Sequence, residues 1–300
     1  MTDTGRKPDI PSPLQGRETR YLQMVMESSF STIRSVRPVA PYLGGKRNLA
    51  KRITAEIEKI PHAIYAEAFV GMGGVFLRRE RAPKSEVIND RSRDVATFFL
   101  ILQRHYVAFM EMIKFQLTTR AEFERLVATD PDTLTDLERA SRFLYLQRTA
   151  FGGKVSGRNF GVSPATPARF DVTKLGPMLE DLHSRLAGVV IECLPYADFI
   201  TRYDRPETLF YLDPPYWGCE GDYGRHLFEV ADFERLAALL SGLQGRFILS
   251  LNDVPEVREI FSAFRIESVE TSYSVSRKGD ARGAVGEVLI MGGGNKKPAV

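Results

Sequence analysis

Seven short apolar runs recur along this chain, and the stretches between many of them are longer and amphipathic. The runs are Ala63 to Phe69, Glu86 to Asn89, Val189 to Cys193, Leu209 to Leu212, Phe247 to Leu251, Phe264 to Val275 and Glu287 to Met291. Runs of this length bounded by turn residues predict strands, and helical periodicity predicts helices over Arg47 to Ile60, Val75 to Arg81, Arg91 to His105, Leu175 to Leu186, Asp232 to Leu243 and Pro255 to Ala263. A chain alternating in this way buries both faces of its sheet under helices, which predicts an α/β sandwich on a largely parallel sheet.

One segment breaks the alternation. From Val107 to Ala150 the apolar positions keep helical spacing with no strand between them, so residues 109–170 are expected to form an inserted helical subdomain. Its later part, Arg142 to Phe170, holds Arg142, Arg148, Lys154, Arg158 and Arg169 and no acidic residue. The whole chain carries a net charge of only +3, so the insert is where a polyanion would find concentrated positive charge. Phe151, Asn159 and Phe160 are interleaved there as groups that could reach bases. Residues 1–36 and 292–300, rich in Gly, Pro and polar side chains, are expected to be tails.

Composition narrows the function classes. The two cysteines, Cys193 and Cys219, have neither metal-finger spacing nor CxxC spacing, and the four histidines form no ligand pattern with them, so no metal is expected. No apolar run is long enough to cross a bilayer, and the polar start lacks a signal-peptide core, so a cytoplasmic, reducing location is expected.

Three strings carry chemistry. In Phe69-Val70-Gly71-Met72-Gly73-Gly74-Val75-Phe76 a strand turns into a helix over glycines, which lets a nucleotide-like ligand approach the backbone. About 20 residues on, Asn89-Asp90 ends the next strand, where α/β folds place a carboxylate for ribose hydroxyls. Asp90 also suits a helix N-cap. In Leu209-Phe210-Tyr211-Leu212-Asp213-Pro214-Pro215-Tyr216-Trp217 an apolar strand delivers a carboxylate to its C-terminal end, and two prolines stiffen the backbone beyond it. The Asp-Pro-Pro-Tyr tetrapeptide resembles motif IV of amino-methyltransferases, which use S-adenosylmethionine (AdoMet). An exocyclic amine is a poor nucleophile because its lone pair is delocalised into the ring. Paired acceptors, the Asp213 carboxylate and the Pro214 carbonyl, would draw it toward a nucleophilic geometry, with Tyr216 as a face for an extruded base.

Taken in order, the motifs resemble those of the Dam-like, alpha-group DNA adenine-N6 methyltransferases over about residues 37 to 291. The N-terminal signature reads Pro41-Tyr42-Leu43-Gly44-Gly45-Lys46. The cofactor loop, Glu67-Ala68-Phe69-Val70-Gly71-Met72-Gly73, has Ala68 where the family carries proline. The insert run Leu144-Tyr145-Leu146-Gln147-Arg148 is similar to the family's Leu-Tyr-Leu-Asn-Arg, and Phe160-Gly161-Val162-Ser163 to its Phe-Asn-Val-Pro. The resemblance implies a Rossmann-like AdoMet-binding catalytic domain over 37–108 and 171–291, with 109–170 as its DNA target-recognition insert. It implies AdoMet as cofactor, held by Tyr42, Gly45, Lys46, Glu67, Phe69, Gly71, Gly73, Asp90 and Asp213. Catalysis would rest on Asp213, Pro214, Pro215 and Tyr216, and DNA contacts on Arg148, Lys154, Arg158 and Asn159. The expected partner is double-stranded DNA, and the expected protein a metal-free, cytoplasmic monomer of a prokaryote or phage. Where the family's GATC enzymes carry an Arg-Tyr-Asn-like string, this chain reads Lys154-Val155-Ser156-Gly157-Arg158-Asn159, so GATC is not carried over. Methylation of RNA or another amine, and a non-catalytic DNA-binding relative, are the rival readings. A nicotinamide oxidoreductase leaves the proline motif without an account.

Overall fold

The computed structural model describes residues 30–161, 165, 167–223, 227–269 and 286–294. Its centre is a seven-stranded sheet in the order β5 (Val190–Glu192), β4 (Ser85–Asn89), β2 (Ile64–Glu67), β6 (Thr208–Leu212), β7 (Arg246–Asn252), β9 (Glu287–Gly293), β8 (Arg265–Val269). The first five pair in parallel, and β9 runs antiparallel to both of its neighbours. The chain starts in the middle of the sheet at β2, builds outward to β5, then returns to lay β6 on the other side of β2. The point where strand order reverses, at the carboxyl ends of β2 and β6, is where open sheets of this kind leave a crevice.

Alternation along each strand sorts side chains into two cores. Tyr65, Leu209, Tyr211 and Ile248 join one apolar cluster, while Ala66, Phe210, Leu212, Phe247 and Leu249 join the other. The first is roofed by α1 (Ala50–Lys59), α2 (Arg93–Arg104) and α6 (Val172–Arg185). The second lies under α7 (Tyr196–Tyr203), α8 (Val230–Ser241) and α9 (Pro255–Ile260). Beneath the first roof, Glu86 on β4 is gripped by Arg79 (2.6 Å) and by both terminal nitrogens of Arg185 (2.6 and 2.8 Å).

The insert supplies α3 (Tyr106–Ile113), α4 (Arg120–Ala128) and α5 (Asp136–Thr149). A capping box between Thr135 and Glu138 starts α5. Phe109, Phe123 and Phe143 belong to the same cluster as Phe98 on α2, so the insert shares the core of the sheet domain. After α5 the chain doubles back, with Ala150 bridging Phe160.

Several expectations are corrected. Val75 to Arg81 forms a single 3-10 turn, Phe76–Arg78, followed by the short strand β3 (Arg81–Ala82). β3 pairs with β1 (Ser31–Thr32), so the chain is already ordered by residue 30, inside the expected tail. Gly292 and Gly293 likewise belong to β9. Helix α7 was not foreseen. The strand expected to reach Val275 is described only to Val269; residues 1–29 and 295–300 of the expected tails, and Val162 and Ser163 of the insert motif, lie outside the described residues. No described helix is long and apolar enough to cross a membrane.

Candidate active site

At the carboxyl ends of β2, β4 and β6 lies a cleft of about 790 Å³. Glu67 ends β2, Asp90 follows β4 and Asp213 follows β6, so three parallel strands deliver three carboxylates to one space. Tyr42, Gly45 and Lys46 enter from the turn before α1, and Phe69, Gly71 and Pro215 stand along the walls, whereas Gly73, Pro214 and Tyr216 of the expected set do not line the cleft. Gly73 stands behind the wall rather than in it. Its φ of +73° and a phantom Cβ only 2.7 Å from Leu77 Cγ make it a turn glycine. Gly71, at φ +51°, brings the loop against the Tyr42 ring, where a Cβ would fall 2.9 Å from Cε1.

Asp90 is locked in place. Its two oxygens accept from the backbone amides of Gly71 (2.9 Å) and Ser92 (2.8 Å), which ties the glycine loop to the end of β4. Burial raises its pKa to about 6, against those two amides, which lower it. Nearby Asn89 bridges the ends of neighbouring strands, donating to the carbonyls of Ala68 and Leu194 and accepting from the Leu194 amide. Phe69 meets Phe228 edge-on at 5.9 Å, and Tyr196 of α7 packs on both rings, forming an aromatic wall.

The other end of the cleft is built around Lys46, which is only 3% exposed. Its ammonium lies 3.0 Å from Asp213 Oδ1 and 3.1 Å from Glu287 Oε2, and donates to the Tyr216 hydroxyl. Ser250 also donates to Asp213 Oδ1, at 3.0 Å, and hydrogen-bonds the Tyr211 hydroxyl. All these interactions fall on Oδ1; among the described residues nothing reaches Oδ2. Burial raises the Asp213 pKa to about 6; Lys46 pulls it down and Glu287 pushes it up. Glu67 is pushed to about 8 by burial, opposed by the hydrogen bond from Tyr65 and reinforced by Asp213. The rigid segment after Asp213 is moored by Asn252, whose side chain accepts from the Trp217 amide (2.9 Å) and donates to the Trp217 carbonyl (3.1 Å). Pro214 and Pro215 are buried and Tyr216 is half-buried.

The basic stretch of the insert divides. Arg148 is spent internally, its guanidinium donating to the carbonyls of Val39 (3.0 Å) and Arg169 (2.9 and 2.6 Å). Arg142 donates to the Leu126 carbonyl and faces Asp94. Phe160 packs on Phe123 at 5.2 Å with Arg120 over its ring, so it is a core contact and not a free aromatic. Phe151 is 65% exposed and Asn159 is exposed, with Lys154 and Arg158 half-buried between them. This loop touches the turn before α1: Gly153 accepts from the Leu43 amide, and buried Gln147 donates to the carbonyls of Pro41 (2.8 Å) and Gly153 (2.6 Å).

Sequence reasoning missed Glu287, Ser250, Asn252 and Phe228. Glu287 opens an expected strand, and a carboxylate at a position that pairs with the sheet interior was the signal available for it. Phe228 and Ser250 had no local signal.

A model of the family of D12 class N6 adenine-specific DNA methyltransferases matches residues 42–275. The chain is 28% identical to the DNA N-6-adenine-methyltransferase of Escherichia phage P1, over 91% of this chain and 38% of that protein's length. It is 26% identical to the type II methyltransferase M1.LlaDCHI of Lactococcus lactis subsp. cremoris, over 87% of this chain and 97% of that one. With the DNA adenine methylase of Haemophilus influenzae it shares 24% identity, over 87% and 95% of the two chains.

Proposed function

Because this chain belongs to the D12 class of N6 adenine-specific DNA methyltransferases, we propose that it moves the methyl group of AdoMet to N6 of an adenine rotated out of double-stranded DNA. The observation that carries the mechanism is the state of Asp213: one oxygen is fixed by Lys46 and Ser250, and the other has no partner among the described residues. An adenine amino group presented to Oδ2 and to the Pro214 carbonyl would give up both N–H bonds to acceptors, which localises its lone pair for attack. AdoMet supplies a sulfonium methyl; as the N–CH3 bond forms, the C–S electron pair returns to sulfur. The proton lost from N6 leaves through the carboxylate to water. Two prolines keep the acceptors aimed without reorganisation during attack.

The cleft fits the cofactor on its own terms. A carboxylate held by two backbone amides at the end of β4 has lone pairs left for ribose hydroxyls, and the Phe69–Phe228 wall suits a purine. Tyr42, Gly45, Lys46, Glu67 and Gly71 would line the amino-acid side, with Gly73 shaping the turn. Tyr216 would stack on the extruded base once its hydroxyl releases Lys46. Lys154, Arg158, Asn159 and exposed Phe151 are the groups of the insert that would meet DNA, whereas Arg148 would hold the fold beneath them.

Transfer of labelled methyl from AdoMet to unmethylated duplex DNA, followed by nucleoside analysis, tests the reading. N6-methyladenine is expected with the wild type and not with Asp213→Ala. A wild type that binds AdoMet but leaves duplex DNA unlabelled would refute DNA as the acceptor.

A further inference from the structure

Among the described residues four arginines border the cleft with no acid to balance them: Arg91, next to Asp90 at the end of β4, and a group of three on the side of the Lys46 turn. The three are Arg37, Arg47 and Arg78, and among the described residues no carboxylate pairs with any of them. Arg37 and Arg47 are exposed, while Arg78 is half-buried and its guanidinium donates only to the Gly74 carbonyl. That glycine is pressed against the turn holding Gly45 and Lys46: a Cβ on Gly74 would lie 3.4 Å from the Lys46 amide and 3.9 Å from Arg78 Nη1. Burial lowers the Arg78 pKa, and the charges of Arg47 and Arg37 lower it further, so the three guanidinium groups feel one another. Like charges gathered at a partly desolvated wall are unfavourable until an anion joins them.

On this side of the cleft, away from Arg91 beside Asp90, the remaining cations are engaged. The Lys46 ammonium has three hydrogens and three acceptors in reach, on Asp213, Glu287 and Tyr216. Arg148 is held by backbone carbonyls. An anionic group entering this side of the cleft therefore meets Arg78 and its two neighbours as the cations without a carboxylate partner. Guanidinium forks suit planar or tetrahedral oxyanions, which they can hold through paired hydrogen bonds.

We propose that Arg78, Arg37 and Arg47 form an oxyanion subsite of the cleft, which receives a carboxylate or phosphate group during the reaction. This rests on the methyltransfer reading, which offers two sources of that chemistry: the amino-acid carboxylate of AdoMet and a backbone phosphate of the DNA. Half-buried Arg78 beside the Lys46 turn suits the former, and exposed Arg37 and Arg47 the latter.

The test compares wild type, Arg78→Gln and Arg47→Ala, the last at an exposed side chain with no hydrogen bond to lose. Calorimetry measures binding of AdoMet and of 5′-methylthioadenosine, which keeps the nucleoside and thioether but has no carboxylate. Duplex DNA binding is measured across a salt series. If the subsite takes the cofactor carboxylate, Arg78→Gln weakens AdoMet by about 10- to 100-fold and leaves methylthioadenosine unchanged. If it takes a DNA phosphate, AdoMet affinity holds, and the slope of log K against log salt falls by about 1 per arginine removed. Unchanged AdoMet affinity together with an unchanged salt slope in both variants overturns the subsite, as does equal weakening of AdoMet and methylthioadenosine without a salt effect. Wild type is assayed for methyl transfer alongside: if it transfers nothing to DNA, the methyltransfer reading fails, and that failure is separate from the behaviour of the variants.

Discussion

Replacing Glu287 by Gln would keep a side chain of the same length that still accepts from Lys46, while removing one negative charge from the cluster around Asp213. Lys46 Nζ is 3.0 Å from Asp213 Oδ1 and 3.1 Å from Glu287 Oε2, so the two oxygens are no more than about 6 Å apart. At an effective dielectric of about 20, two like charges at that distance repel by about 3 kcal/mol, which corresponds to about 2 pH units at Asp213. Lys46, Glu67, Tyr211 and Ser250 also face Asp213, and of these Lys46 is the cation that counters Glu287. With the wild-type Asp213 pKa at about 6, catalysis should fall away as pH drops through that value, because a protonated carboxyl no longer accepts from the adenine amine. In Glu287→Gln that acid limb should move down by about 1 to 2 units, since the repulsion is removed while burial still raises the Asp213 pKa and Lys46 and Ser250 still lower it. The plateau rate should also fall, because an unbalanced Lys46 draws charge from the acceptor. The assay is kcat/KM for methyl transfer between pH 4.5 and 9, wild type beside variant, so that ionisations of the substrates cancel in the comparison. A variant whose rate drops while its acid limb stays in place would refute the electrostatic role and leave Glu287 as packing only.

Three further outcomes follow from the same geometry. Glu67 titrates near 8 in the folded chain against an ordinary value of 4.5, so the stability linked to its proton is complete below about 4.5 and lost as pH rises through 8; calorimetric Tm should fall between about pH 4.5 and 8 and level off above, and Glu67→Gln should flatten that fall. His62, held near 4 by burial, has the opposite sign, and its contribution is lost as pH drops from 6.5 through 4; a His62→Phe variant should hold its Tm better over that acid range. Asn252→Leu removes both hydrogen bonds to Trp217, and should cost about 1–3 kcal/mol of stability while lowering kcat more than AdoMet affinity; an unchanged kcat would mean the prolines alone fix the Asp213 segment.

Strand positions were legible because each strand is an apolar run ended by a turn residue, and observed boundaries such as Thr208–Leu212 and Arg246–Asn252 differ from expectation by a residue or so. Two carboxylates at strand ends were legible for the same reason, since Asp90 and Asp213 each close an apolar run, whereas Glu67 lies inside the expected run Ala63 to Phe69 and was reached only through the family resemblance. What escaped was set by partners distant in sequence. Glu287 reaches Lys46 across 241 positions, and Asn252 reaches Trp217 across 35, so neither pairing leaves a local pattern. The helix expected over Val75 to Arg81 fails because Arg79 turns inward to Glu86 and Arg81 and Ala82 join β1 in a sheet. Arg148 was misleading in a related way. Its place in a basic run suggested an open surface, but long-range carbonyls from Val39 and Arg169 claim the guanidinium.

Gln147 offers the sharpest test of how the insert and the cleft communicate. The family run has asparagine here, and the longer side chain reaches two carbonyls at once, those of Pro41 and Gly153. One belongs to the turn carrying Tyr42 and Lys46, the other to the loop carrying Phe151 and Asn159. Gly153 is pressed so tightly on Pro41 that a Cβ would fall 2.8 Å from its carbonyl carbon, and its φ is +68°, so the two segments meet backbone to backbone. Gln147→Ala would remove the donor from the Pro41 carbonyl and one of the two donors from the buried Gly153 carbonyl, which keeps the Leu43 amide, at a cost of about 1 kcal/mol, and loosen both segments together. Binding of AdoMet and binding of duplex DNA should then weaken in the same variant, although Gln147 touches neither. Tyr42 and Lys46 provide the first effect, and the exposed loop residues the second. If the contact is a true link, bound DNA should also tighten AdoMet binding in wild type more than in Gln147→Ala, since coupling between sites is reciprocal. Equal enhancement in both proteins would mean that the hydrogen bonds hold the fold but carry nothing between the insert and the cleft.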